Sequence, residues 1–180
     1  SGMQQRDIAA AKPAEITMYD KLPRVSPNQM SGLIETLAAA PYHGRADLPA
    51  LDAALGLGTE ETLHLVEVLR LLQFAEVESG DIHLAPAGMV FADADTQKRK
   101  QIFAEHLIRN VPLVAYVYRV LQSRPGNHAP RIRFMTQLED HMTEEDADEA
   151  LSAVTSWGRY AELFAYDDNA EMYSLENPSA

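Results

Sequence analysis

The run Trp157-Gly158-Arg159-Tyr160-Ala161-Glu162-Leu163-Phe164-Ala165-Tyr166-Asp167-Asp168 constrains the fold more than any other stretch of this chain. A helical apolar stripe leads into it, a glycine punctuates it, and aromatic and apolar residues then alternate as in a strand. Leu72-Gln73-Phe74-Ala75-Glu76-Val77-Glu78-Ser79-Gly80-Asp81 is an earlier, weaker copy. Both copies continue through acid-rich turn residues into a short second strand, Ile82-His83-Leu84 and Met172-Tyr173-Ser174-Leu175. A proline follows each, at Pro86 and Pro178. With Phe74 set against Tyr160 the copies lie 86 residues apart. Self-similarity of this kind means one supersecondary unit used twice: helices, then a two-stranded hairpin.

Helical periodicity fills in the rest. Met30, Leu33, Ile34, Leu37 and Ala38 form one apolar stripe that Pro41 and Gly44 end. Asp47 is placed to cap a second helix carrying Leu48, Leu51 and Leu55, with Gly56 or Gly58 as its stop. Thr59 reads as the cap of a third, largely buried helix, with Glu60 and Glu61 in the first turn where the helix dipole favours acids. A hairpin over 74–85 turns at Ser79-Gly80-Asp81. The second half opens with a helix from about Ala94 to Asn110. Pro112 then starts a helix with Leu113, Val117, Val120 and Leu121 inward. Pro130 starts another, with Ile132, Phe134, Met135 and Leu138 as its apolar residues. Thr143 and Asp146 make a capping box for the last, whose inner face is Ala147, Ala150, Leu151, Val154 and Trp157. Gly158 reads as the residue just past its end, and a hairpin over 160–175 follows.

The expected fold class is mainly α (α+β): tandem winged-helix-like units, each of three or more helices and a two-stranded β-hairpin. The expected boundaries are 1–28 for a linker or arm, 29–94 for the first unit and 95–180 for the second. Ser1-Gly2 reads as the remnant of a removed tag. No apolar run approaches the roughly 20 residues of a membrane-spanning helix, so a cytoplasmic location without direct membrane insertion is expected.

Charge decides against the usual role of a winged helix. The 180 residues carry a formal charge of −12, with net −7 in residues 1–94 and net −5 in residues 95–180. The stretch Glu139–Glu149, leading into and opening the last helix, holds seven acids in eleven residues. Phosphate contacts supply most non-specific affinity for DNA, so an acidic recognition helix repels it; no nucleic-acid partner is expected. Lys98, Arg99, Lys100, Arg131 and Arg133 read as contacts for a partner or an anionic ligand, or as a solvated face. With no cysteine and no paired histidine spacing, no metal site is expected. Asp167-Asp168-Asn169-Ala170-Glu171 spaces oxygens like the opening of a calcium loop but lacks its glycine and distant Glu. No phosphate loop, dinucleotide fingerprint or nucleophile elbow occurs, so neither catalytic residues nor cofactors are expected. Trp157, Tyr160, Phe164 and Tyr166 read as wing-on-helix packing, with Arg159 and Glu162 available for ion pairs between wing and helix.

From about Met30 to Leu175 the chain resembles the C-terminal AAA-associated domain found behind the ATP-binding cassette in nitrate/sulfonate/bicarbonate-type ABC importers. The matching strings are Ser31-Gly32-Leu33-Ile34-Glu35, Ala46-Asp47-Leu48-Pro49, Leu72-Gln73-Phe74-Ala75-Glu76, Gly80-Asp81-Ile82-His83-Leu84, Pro86-Ala87-Gly88, Arg99-Lys100-Gln101-Ile102-Phe103 and Val111-Pro112-Leu113. The most specific is Trp157 to Asp167. The resemblance implies a non-catalytic accessory or regulatory domain, peripheral at the inner membrane face, whose partner is an ABC transporter ATPase cassette or membrane complex. The cassette is absent here, so ATP and Mg would belong to it. A homodimer is compatible with this reading, through apolar or basic surface. A second reading is an anion- or metabolite-sensing domain with a pocket between the two units, lined by Tyr116, Tyr118, Met135 and Tyr160.

Overall fold

The structure is a computed structural model that describes residues 16–175. Pro178 and the first fifteen residues, with the tag remnant and most of the expected linker, lie outside the described residues. Within them the chain is mainly helical, with eight α-helices and two small antiparallel sheets, and it divides into two compact units. One is Pro27–Lys98; the other joins Ile16–Ser26 to residues 99–175.

The first unit runs α1 (Pro27–Ala38), β1 (Arg45–Asp47), α2 (Leu48–Leu55), α3 (Thr59–Leu71), β2 (Ala75–Glu78), β3 (Asp81–Leu84) and α4 (Pro86–Asp93). Met30, Leu33, Ile34 and Leu37 on α1 are buried with Leu65, Val68 and Leu69 of α3, Phe74, Ile82 and Phe91. The Asp47 carboxylate caps α2, accepting the Ala50 N–H at 3.0 Å, and Gly56 ends it with φ +65°. The cap of α3 is Gly58 rather than Thr59, because Thr59 already has helical geometry and sends its hydroxyl to Asp52 instead. Leu63 points outward at 53% exposure, so α3 is less enclosed than its composition predicts.

Helix α5 (Thr96–Asn110) carries the boundary between the units, and Asp95 accepts the Lys98 N–H at its start. The second unit continues with α6 (Pro112–Ser123), β4 (His128–Pro130), α7 (Arg131–Glu139), α8 (Glu144–Tyr160), β5 (Ala165–Asp167) and β6 (Met172–Ser174). Thr143 caps α8 by accepting the Asp146 N–H at 3.1 Å. Both expected hairpins form, β2-β3 and β5-β6, but neither is the whole of its sheet. Each gains a third strand from before the helix pair, giving sheet orders β1-β3-β2 and β4-β6-β5. Strands of three residues are too short to show alternation, and Pro130 occupies β4 because that strand is a sheet edge.

Both units therefore follow the winged-helix order of helix, strand, helix, helix, strand, strand, and several backbone hydrogen bonds recur between them. Phe74 N–H reaches Leu69 C=O at 2.9 Å, and Leu163 N–H, 89 residues on, reaches Gly158 C=O at 3.0 Å. Leu48 N–H binds Gly80 C=O as Arg131 N–H binds Glu171 C=O. Leu84 N–H binds Gly44 C=O as Leu175 N–H binds Asn127 C=O. The spacing at the helix ends is thus 89, not the 86 read from the aromatics. In the central strands, Ile82 lies between Ala46 and Val77, as Tyr173 lies between Ala129 and Tyr166.

Residues 16–26, read as part of a linker, instead pack into the second unit. Leu22 and Val25 are buried. Tyr19 stacks on His141 with ring centroids 4.0 Å apart, and the indole of Trp157 donates to the Val25 carbonyl at 2.7 Å.

Candidate functional site

The corner where α8 turns into β5 contains the residues singled out in the sequence. Trp157 is fully buried, and its indole N–H is satisfied by Val25, as a buried donor must be. Gly158 is not the residue past the helix end. It lies inside α8 and is buried. The left-handed residue is Glu162, at φ +58°, where Gln73 takes φ +63° in the first unit. A glycine is needed at 158 for space instead: a Cβ there would lie 2.1 Å from the Phe164 ring. In the first unit the close approach falls elsewhere, at Gly88, whose Cβ would meet the Phe74 carbonyl oxygen at 2.3 Å.

Arg159 spans from helix to wing. Its guanidinium donates to the Tyr166 carbonyl at 2.6 Å, reaches Asp168 at 3.2 Å and lies 5.5 Å from the Tyr166 ring centroid. Tyr160 meets Phe103 of α5 edge-on at 5.2 Å. Glu162 takes Lys100 Nζ at 2.8 Å, the other end of the same contact with α5. Phe164 and Tyr166 both pack on Tyr173, and Asp167 turns its carboxylate back to the N–H groups of Asn169 and Ala170. That carboxylate thus shapes the turn, and no group of three or more potential metal-binding side chains occurs among the described residues.

Tyr173 is the hub. It is fully buried, its hydroxyl pairs with Thr155 at 2.5 Å, and burial pushes its pKa up to about 12. Arg131 lies beside it, held by Asp148 at 2.5 Å. Desolvation works to lower the Arg131 pKa, but Tyr173 and the Asp148 carboxylate outweigh it and raise the group above its ordinary value. The guanidinium is accordingly charged at every physiological pH and is ion-paired to Asp148 beside Tyr166 and Tyr173.

Of the remaining basic candidates, Lys100 reaches this corner through Glu162. Arg133 is exposed on α7, with its guanidinium 5.9 Å from the Phe134 centroid. Lys98 is exposed near the start of α5, while Arg99 and Lys100 are half-buried. Tyr116 gives its hydroxyl to Gln137 and its ring edge to Phe134. Ile132, one of the apolar residues read on α7, is 64% exposed. Sequence reasoning gave no role to Thr155 or Asp148 and did not pair Asp168 with Arg159. Thr155 had a readable signal, since it lies one turn before Arg159 on α8; Asp148 and Asp168 were hidden among many acids.

The arrangement is a closed set of packing contacts and local ion pairs, with its polar groups turned on one another. The sequence profile of the C-terminal AAA-associated domain matches residues 49–167, a span that takes in both helix-to-wing corners. No curated protein and no solved structure matches the chain. The chain belongs to the C-terminal AAA-associated domain family.

Proposed function

We propose that the chain is a non-catalytic accessory domain of the ATP-binding subunit of an ABC importer of the nitrate/sulfonate/bicarbonate type, working through protein–protein contacts at the inner membrane face. Family membership across both units is the observation that carries this reading. The surface agrees with it. Glu60, Glu61 and Glu67 are exposed on α3, and Glu144, Glu145 and Glu149 on α8, so both recognition-helix positions present acid. Such faces turn away nucleic acid and steer association towards basic protein surface. No helix among the described residues is long and apolar enough to cross a membrane, which suits a peripheral partner of a membrane complex. ATP and Mg belong to the cassette in this reading, and the chain brings no cofactor of its own.

The test is to omit this domain from a reconstituted importer. Hydrolysis of ATP by the cassette should persist, while its coupling to transport, its assembly or its inhibition by substrate changes. Unaltered transport and regulation would overturn the proposal.

A further inference from the structure

Residues 16–26 are held on the second unit by contacts from three places. Gln137 Nε2 on α7 approaches the Tyr19 hydroxyl at 3.5 Å. His141, in the turn after α7, stacks on the Tyr19 ring, and on α8 Trp157 donates to the Val25 carbonyl while Asp146 faces Lys21 at 3.7 Å. The segment has no strand ladder. Its fold at 17–20 is internal: Asp20 accepts the Thr17 N–H at 2.6 Å, and Thr17 accepts from Tyr19 and from Asp20. Leu22 and Val25 are its two buried apolar anchors. The lysine of the ion pair is 81% exposed and adds little. In contrast, β6 of the same unit is paired along both edges.

We propose that residues 16–26 form a latch that undocks from the second unit without unfolding it. A segment fastened through side-chain contacts, among them the Leu22 and Val25 anchors, the Tyr19 ring stack and the hydrogen bonds from Gln137 and Trp157, opens at lower free energy than a core of ladders and packed helices. The latch is continuous with α1 across the Ser26–Pro27 bond. Undocking strips Trp157 of its acceptor and opens it to water, and because it is the single tryptophan of the chain, it reports the state of the latch directly.

Amide hydrogen exchange on the intact chain tests this. The Asp20 and Val25 amides should exchange at least about a hundredfold faster than those of Leu151 and Val154 in α8. Val25→Ala, which trims one anchor, should speed the two latch amides further, by about tenfold. Leu22→Asp should open the latch fully and shift Trp157 emission to the red, with α8 amides still about a hundredfold slower than the latch. The proposal is overturned if latch and α8 amides exchange at one rate, or if Val25→Ala leaves the latch rate unchanged. A Leu22→Asp protein with unshifted emission, or with α8 as unprotected as the latch, overturns it equally.

Discussion

The two helix-to-wing corners share a backbone and differ in what closes it. In each, the helix ends on a left-handed non-glycine residue, Gln73 or Glu162, and the following N–H reaches back five residues. The first corner is then closed by apolar contact: Phe74 meets Phe91 at 5.3 Å, and Ile82 fills the centre of the sheet. The second is closed by side chains with specific partners: Trp157 to Val25, Arg159 to Tyr166 and Asp168, Tyr173 to Thr155. Arg70 holds the place equivalent to Arg159, but no bond from its side chain to the wing occurs among the described residues. The backbone bend thus tolerates different fillings, and the strong sequence signature belongs to the corner that depends on particular side chains.

The comparison breaks most visibly at Trp157. Trp157→Ala removes a fully buried ring and its hydrogen bond, and should cost about 3–5 kcal/mol, measured by urea unfolding. A loss below about 1 kcal/mol would show that the second corner does not depend on this side chain.

Alkaline titration separates the two central strands. Tyr173 holds its proton up to about pH 12 when folded and to about pH 10 when unfolded. Its contribution is fully present below the unfolded value and is lost as pH rises through the folded one. Between roughly pH 10 and 12 the wild type should therefore lose about 2–3 kcal/mol that Tyr173→Phe does not lose. Ile82, the equivalent residue, has no proton to lose. Equal alkaline slopes for wild type and Tyr173→Phe would contradict the assignment.

A smaller effect tests the glycine. Gly158→Ala should cost about 1–3 kcal/mol through overpacking against Phe164, and Phe164→Leu in the same chain should recover part of it. Absence of any recovery would mean that backbone freedom, not space, requires the glycine. Smallest is the arginine pair: Arg159→Met should cost about 1 kcal/mol, whereas Arg70→Met should stay within about 0.5 kcal/mol.

Much of this architecture was legible in the residues because local chemistry decided it. Asp47 and Thr143 cap helices as their types predict, and Ser79-Gly80 turns the first hairpin with both residues at positive φ. Gly158 misled because a glycine near a helix end usually marks the left-handed position; here a ring approach claims it and Glu162 bears the strain. Strands β1 and β4 were invisible because they exist by pairing to β3 and β6, a long-range fact. Helix α4 was not among the expected elements, although Pro86 opens it and Gly88 is its contact with Phe74. The Trp157 acceptor lies 132 residues away at Val25, beyond any local pattern. Of the candidate site, the corner residues were legible, while the ion pairs depended on which of many acids the fold brought near.

The central claim, that this domain acts by contact with an ATPase and not by chemistry of its own, is tested most directly by calorimetric titration of the chain with the separate ATP-binding cassette. Binding should weaken as salt rises from about 50 to 200 mM, because exposed acidic faces are screened over about 8 Å at physiological ionic strength, and Mg-ATP titrated into the chain alone should give no heat. Micromolar binding of Mg-ATP by the chain itself, with none to the cassette, would contradict it.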